Sequence, residues 1–146
     1  MISILQRVTE ARVVVADEIV GQIGPGMLAL VAVTREDDVR DVAWTADKLV
    51  HLRIFRSAGK HFDQDVTQIN GGVLLVSNFT VIAETKKGRR PSLDAAADPA
   101  KAQQLFDELA AAVRAAGLTV ATGRFGADMQ ITLTNDGPAT FVINSR

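Results

Sequence analysis

Residues 73–81 read VLLVSNFTV, an apolar run that ends in a Ser-Asn-Phe-Thr island. A short continuous apolar run is typical of a strand that is buried on both faces. The strand is predicted to extend from Val73 to Val81, which places Asn78 and Thr80 on one face and Ser77 and Phe79 on the other. Hydrogen-bonding groups at the end of a buried strand need partners. The C-terminal end of this strand is therefore either exposed to solvent or part of a functional site.

Further strands are predicted on both sides of this one, because apolar and β-branched residues recur there between turn formers. Residues 57–72 are polar and rich in turn formers, which indicates a loop with at most a short strand. The other predicted strands are the alternating positions Ile2, Ile4 and Val8, followed by residues 11–16, 19–23, 27–33, 118–122, 129–134 and 139–143.

Two amphipathic helices are predicted. In the first, Thr34 is the expected cap, and the second begins with Asp98 as the cap and Pro99 in the first turn. Gly117 stands where a C-terminal cap glycine belongs. The strands and helices together predict one mixed α/β domain over residues 1–146, with mostly antiparallel pairing. The apolar stripe of the first helix consists of Val39, Val42, Ala43, Ala46, Leu49 and Val50.

Composition excludes several classes of site. The chain has 146 residues and no cysteine, which rules out disulfides, thiolate metal sites and a cysteine nucleophile. The only imidazoles are His51 and His61, without a ligand motif, so no metal and no cofactor are expected. The longest apolar run, residues 27–33, is far shorter than the roughly 20 residues of a membrane span, and no signal peptide is recognisable. We expect a soluble, cytoplasmic protein with no membrane partner.

Positive charge is concentrated in one segment. KKGRR, residues 86–90, carries four of the 16 basic residues, which leaves 12 basic against 17 acidic residues elsewhere. A uniformly basic nucleic-acid coat is therefore excluded, whereas a local phosphate contact is not. The segment lies in a long irregular stretch, residues 84–98, and such loops are frequently functional. The alternative is a solvated loop without a ligand.

The segment NDGPAT, residues 135–140, is composed largely of turn formers, so a hairpin turn between two strands is its ordinary interpretation. A Gly-Pro bond can also be cis at a cost of about 0.5–1 kcal/mol. The chain has no phosphate-binding glycine loop, no GxSxG and no HExxH. Any catalysis therefore relies on hydroxyls, amides and backbone groups.

Four segments taken together resemble the D-aminoacyl-tRNA deacylase family: SNFTV (77–81), GRRPSL (88–93), GRFGADMQ (123–130) and NDGPAT (135–140). The resemblance extends over the whole chain and includes the opening QRVTEARVVV. It implies a three-layer α/β/β domain that forms a homodimer with active sites at the interface. It also implies hydrolysis of the ester between a D-amino acid and tRNA. The sequence departs from the family pattern at Asn78, where glutamine is usual, and at Val81 and Ala139.

The same resemblance implies roles for individual residues. The strand motif corresponds to Ser77, Asn78, Phe79 and Thr80 as the catalytic segment, in which Thr80 positions rather than attacks. A Gly-cis-Pro motif falls on Gly137 and Pro138, reaches into the partner's pocket and rejects L-amino acids. On this interpretation Gly137→Ala abolishes activity with little effect on the thermal melt. The remaining expected contacts are Phe125 and Met129 as apolar pocket wall, or else ordinary core, and Lys86, Lys87, Arg89 and Arg90 as a phosphate clamp for tRNA.

Two other classes of function stay open at this point. A binding module for the aminoacylated 3′ end of tRNA would keep the basic loop and the pocket without turnover. A structural homodimer without ligand would tolerate replacement of Ser77, Thr80 and Gly137. A DNA partner is not expected. For a deacylase, activity on glycine misattached to tRNA is a further possibility.

Overall fold

Eight strands and two α-helices follow one another in the computed structural model, which describes residues 1–146. The mixed α/β class and the two main helices are confirmed. In chain order the elements are β1 (Ile2–Val15), β2 (Glu18–Ile23), β3 (Gly26–Ala32), α1 (Val39–His51), β4 (Phe55–Ser57), β5 (Lys60–Gln64), β6 (Gly72–Ser77), a 3₁₀ turn (Phe79–Ile82), α2 (Pro99–Ala115), β7 (Thr119–Thr122) and β8 (Gln130–Asn144).

The main sheet has the strand order β2-β1-β3-β6-β7, and β8 pairs with β1. Residues 2–8 of β1 pair with both β3 and β8, so these two strands lie on opposite edges of β1. The β3–β6 and β6–β7 pairs are parallel and all others antiparallel, which confirms mostly antiparallel pairing. β8 pairs with no strand but β1, so its outer edge is unpaired within the chain.

The apolar core has two parts, one on each face of the central strands. β3 and β6 alternate between these parts, as continuous apolar runs predict for strands buried on both faces. The sheet is curled, and β2 also contacts β6 and β7. The helix-side part includes Leu5, Met27, Leu49, Leu75, Phe106 and Leu109, and the second part includes Val8, Val13, Ile23, Leu28, Leu74 and Val76.

The predicted boundaries of the outer strands are wrong. β1 is one strand of 14 residues, where two were expected, and its first half buries Ser3, Leu5 and Arg7 while Ile2 and Ile4 are only half-buried. Polar residues on the inward face concealed the true alternation. β8 is likewise one strand of 15 residues that runs through the expected hairpin turn. Register shifts in its pairing with β1 accommodate that segment.

The cap of α1 also differs from the prediction. Asp38, not Thr34, is the cap: its Oδ1 accepts from the Arg40 N–H at 2.8 Å, and the Asp41 carboxylate accepts from the Asp38 N–H at 2.9 Å. Val39 is 63% exposed and Ala43 is exposed, so the buried stripe of α1 is rotated from the predicted one. Asp41 and Thr45 occupy it instead.

The predicted start and end of α2 are confirmed. Asp98 caps the helix by accepting from the Lys101 N–H at 3.1 Å, and Pro99 is the first helical residue. Gly117 follows the helix with a φ of +83°, a conformation that favours glycine. Neither α1 nor α2 is long and apolar enough to cross a membrane.

Asp41 joins α1 to the end of β8. Its carboxylate accepts from the Ser145 hydroxyl and from Arg146 Nη2, both at 2.7 Å. Burial raises the pKa of Asp41, but these hydrogen bonds outweigh it and hold the pKa well below its ordinary value. The adjacent Asp37 is fully buried and lies 2.6 Å from the Met1 ammonium. Asp37 and Asp41 thus connect the start of α1 to the N-terminus before β1 and to the residues after β8.

Candidate active site

The Ser77–Thr80 segment is a turn rather than a strand. β6 ends at Ser77, and the chain enters a 3₁₀ turn that begins at Phe79. The Asn78 N–H donates to the Val31 carbonyl at 2.8 Å, outside the strand pairs. The predicted alternation of side chains over residues 77–80 is therefore wrong. The Ser-Asn-Phe-Thr island leaves the sheet because Asn78 caps the turn.

Asn78 and Thr80 are joined by two hydrogen bonds. Asn78 Oδ1 accepts from the Thr80 N–H at 3.2 Å and from the Thr80 hydroxyl at 2.5 Å. Such local bonds are the reason that asparagine favours caps over strands. Thr80 is exposed, and Phe79 is 56% exposed although it is aromatic. The turn therefore presents its side chains to solvent at the end of a buried strand.

A cavity of about 300 Å³ lies beside this turn. Ser77 and Phe79 line it on one side, and Phe125 and Met129, the predicted wall residues, line it on another. The Phe125 ring also packs against Phe106 at 6.3 Å, so this side chain belongs to the edge of the core as well. Apolar cavities with few polar groups are typical of small-ligand sites.

Much of the remaining wall consists of alanines that were not predicted from the sequence. Ala96, Ala97 and Ala102 line the cavity, and the Ala97 N–H donates to the Val33 carbonyl at 3.0 Å, which holds this stretch against the end of β3. The run of three alanines directly after the basic loop was the available signal. Larger side chains there would fill the cavity.

The loop formed by residues 84–92, called the basic loop because it contains the KKGRR segment, connects the two sides of this cavity. It leaves the 3₁₀ turn and returns at the alanine stretch, and Glu84 and Ser92 close its base with two backbone hydrogen bonds of 2.9 Å. Its four cations are exposed. Lys86 Nζ lies 3.7 Å from Glu84. No carboxylate lies within 4 Å of the other three cations: Lys87, Arg89 and Arg90.

The peptide bond between Gly137 and Pro138 is cis. The Asn135 side chain brackets it, since its Oδ1 accepts from the Ala139 N–H at 2.8 Å and its Nδ2 donates to the Ala139 carbonyl at 3.2 Å. A Cβ at Gly137 would lie 2.4 Å from the Ala139 nitrogen. This contact argues against the expectation that Gly137→Ala leaves the melt nearly unchanged, because the backbone would have to shift.

Two arginines fix the other side of this segment. Arg7, which is 3% exposed, donates from Nε to the Asp136 carbonyl at 2.8 Å and from Nη1 to the Ile54 carbonyl at 2.6 Å. Arg56 Nη1 lies 3.5 Å from Asp136 Oδ1. The role of Arg7 was not predicted, because a lone arginine in a strand gives no sign of partners that lie distant in the chain.

A single chain does not bring the Ser77–Thr80 segment and the Gly137-Pro138 segment together. Residues 137–138 lie opposite Gln6–Val8 of β1, whereas Ser77 pairs with Val31 of β3, which pairs with Ser3 of β1. The separation is three strand spacings of about 4.8 Å and about four residues of about 3.4 Å, or roughly 20 Å along the sheet. The structure thus groups Ser77, Phe79, Phe125 and Met129 around the cavity. Asn78 and Thr80 belong to the adjoining turn but not to the cavity wall, and Gly137 and Pro138 lie apart.

Comparisons with known proteins agree on one family. Residues 4–144 match the family model described as D-Tyr-tRNA(Tyr) deacylase. The chain is 49% identical over 143 residues to a D-aminoacyl-tRNA deacylase of Bacillus licheniformis, covering 98% of this chain and 97% of that protein. It is 48% identical over 141 residues to one of Cronobacter sakazakii, covering 97% of each.

Two solved structures share the fold. One, titled c-Myc DNA Unwinding Element Binding Protein, has a TM-score of 0.94 at 31% identity and covers 100% of this chain and 99% of its own. The other is titled Structural Analysis of a probable eukaryotic D-amino acid tRNA deacylase. It has a TM-score of 0.86 at 17% identity and covers 97% of each chain, which bears on the fold alone.

Proposed function

Because the chain belongs to the D-Tyr-tRNA(Tyr) deacylase family, we propose that it hydrolyses the ester bond between a D-amino acid and the 3′ end of tRNA. The products are the free D-amino acid and tRNA, so the reaction is a form of chiral proofreading. The observation that carries the proposal is the apolar cavity rimmed by Ser77 and Phe79, which lies beside a loop with four exposed cations. A cytoplasmic location follows from the substrate.

The chemistry requires little of the protein. An aminoacyl ester is already activated, so the enzyme needs to orient water and stabilise an oxyanion. The Ser77 hydroxyl and the Phe79 N–H at the start of the 3₁₀ turn are the candidate oxyanion donors. The Thr80 N–H is not, since it donates to Asn78. Phe125 and Met129 supply apolar wall for the substrate end.

Selection against L-amino acids requires a second group that holds the α-ammonium. We assign this role to the backbone of Gly137 and Pro138 of a partner subunit, since within one chain they lie roughly 20 Å from Ser77 along the sheet. Carbonyls that hold an ammonium by charge-assisted hydrogen bonds leave no room for a side chain on that side. The rigid support from Arg7 and Asn135 suits this task.

A homodimer supplies this geometry. The outer edge of β8 is unpaired and Val142 is 69% exposed, so the strand that carries Gly137 has both backbone groups and apolar surface for a second copy. Each subunit would lend its 137–138 segment to the cavity of the other. The four cations of the basic loop would contact phosphates of the acceptor end without reading sequence.

The test is a comparison of D-Tyr-tRNA with L-Tyr-tRNA, in which loss of the ester is followed for each. We expect hydrolysis of the D form only, in EDTA and without nucleotide. Equal rates on both forms would refute the assignment, and binding without turnover would favour the binding module. A third arm with glycyl-tRNA determines whether an achiral residue is accepted.

A further inference from the structure

The hydrogen bonds between Asn78 and Thr80 fix the direction of the Thr80 hydroxyl. The Thr80 N–H and the Thr80 Oγ1 both contact one atom of the Asn78 side chain. An N–H can only donate, so that atom is the amide oxygen and not the amide nitrogen. The hydroxyl must then donate as well, because the amide oxygen has no hydrogen. Both polar hydrogens of Thr80 are therefore held by Asn78.

From this we infer that Asn78 is a positioning residue that makes Thr80 Oγ1 an acceptor only. This rests on the proposed function. With its hydrogen engaged, the Thr80 oxygen offers lone pairs to the substrate and no proton. It therefore binds a hydrogen-bond donor, either the attacking water or the α-ammonium of the aminoacyl group. It does not stabilise the oxyanion.

The same geometry is unfavourable for Thr80 as the nucleophile. Attack would require the hydroxyl to lose its proton to a base, and the group that receives its hydrogen bond is a neutral amide, which is too weak a base for this step. In the hydrolysis the water oxygen bonds to the acyl carbon as the bond to the ribose oxygen breaks. The water proton ends on that ribose oxygen. Thr80 keeps its own proton throughout.

A second turn of the chain provides a matched control. Asp65 Oδ1 accepts from the Thr67 N–H at 3.0 Å and from the Thr67 hydroxyl at 2.5 Å, the same pattern as at Asn78 and Thr80. This turn precedes β6, whereas Thr80 follows it, so the two turns lie at opposite ends of the strand. Thr67→Val thus removes the same bond from an equivalent turn without touching the cavity.

The experiment measures kcat, KM and the melting temperature of six proteins on D-Tyr-tRNA: the wild type and five variants. We expect Thr80→Val to lower kcat/KM about 10- to 100-fold and Asn78→Ala to do the same with Thr80 intact. Thr80→Ser and Asn78→Asp, which keep the two bonds, retain most of the activity. Thr67→Val lowers the melting temperature at least as much as Thr80→Val, because its partner is the Asp65 carboxylate, but leaves kcat and KM unchanged.

The desamino substrate 3-(4-hydroxyphenyl)propionyl-tRNA, which has no nitrogen on the α-carbon, separates the two donors. If Thr80 binds water, the Thr80→Val substitution lowers kcat by the same factor on both substrates. If Thr80 binds the ammonium, Thr80→Val raises KM on D-Tyr-tRNA and has no effect on the desamino substrate. Either result supports an acceptor role.

Two outcomes would overturn the inference. One is an Asn78→Ala variant that is folded and as active as the wild type or more active, because a freed hydroxyl would then help as a donor. The other is a complex with a non-hydrolysable amide analogue of 3′-D-tyrosyl-adenosine in which the carbonyl oxygen contacts Thr80 Oγ1. The inference predicts a nitrogen or a water there. If the wild type hydrolyses no ester, the proposed function fails, and this complex still tests Thr80.

Discussion

The basic loop predicts a specific salt dependence for tRNA binding. Its four cations are exposed, and only Lys86 has a nearby carboxylate. Each phosphate contact releases counterions and contributes about −0.7 to −0.9 to the slope of log K against log salt. Four contacts contribute about −2.8 to −3.6. Binding through this loop therefore weakens roughly 50- to 150-fold between about 50 and 200 mM salt.

The perturbation is replacement of Lys86, Lys87, Arg89 and Arg90 by glutamine, assayed by fluorescence anisotropy with uncharged tRNA over that salt range. We expect weaker binding at low salt, a slope smaller in magnitude by about 3, and convergence with the wild type at high salt. A control variant with Arg40, Lys48, Lys60 and Arg114 changed to glutamine removes the same charge elsewhere. The reasoning is refuted if the loop variant keeps the wild-type slope, or if both variants lose it equally.

Other perturbations give equally definite expectations. EDTA should not change the rate, because the two histidines form no ligand motif; loss with EDTA and rescue by zinc would contradict this. Gly137→Ala should lower both activity and melting temperature, since its Cβ would press on the Ala139 nitrogen; an unchanged melt would count against the clash. Asp41→Asn should cost about 1–3 kcal/mol in urea unfolding at pH 7. Because the pKa of Asp41 is lowered in the folded state, its contribution to the free energy of unfolding is present above its unfolded pKa of about 3.9 and is lost as the pH falls towards the folded pKa. The free energy of unfolding of Asp41→Asn should therefore fall less steeply with decreasing pH than that of the wild type. An equally steep fall would contradict this. Leu109→Ala, at a fully buried position, should cost about 2–5 kcal/mol, and a smaller loss would mean that the helix-side core collapses around it.

The parts of the fold that the sequence predicted are those with local causes. The strand at residues 27–33 and the apolar first part of the predicted strand 73–81 follow from apolar runs. The limits of α2 follow from Asp98, Pro99 and Gly117. In these cases the residues that determine the structure are neighbours in the chain. Local propensity and the final fold agree there.

The parts that the sequence did not predict depend on distant partners. Arg7 points inward because the carbonyls of Ile54 and Asp136 accept hydrogen bonds from its guanidinium, and neither residue is close to Arg7 in the chain. Asn135 keeps β8 continuous by bonding Ala139 where a hairpin was expected. At the site, the resemblance supplied Ser77 and Phe79, but the alanine wall depends on packing that periodicity does not reveal. The turn at Asn78 was missed because the apolar run before it favoured a longer strand.

The pairing of β1 with β8 has a consequence for biosynthesis. Ile2 pairs with Asn144, and the contact between these two strands extends along the whole of β1. Contacts between residues so far apart raise the contact order and slow folding. A nascent chain that has not yet released its last strand from the ribosome leaves one edge of β1 open to other strands. The sheet of this protein is therefore completed only after β8 has left the ribosome, and β1 is the segment that a chaperone would need to protect until then.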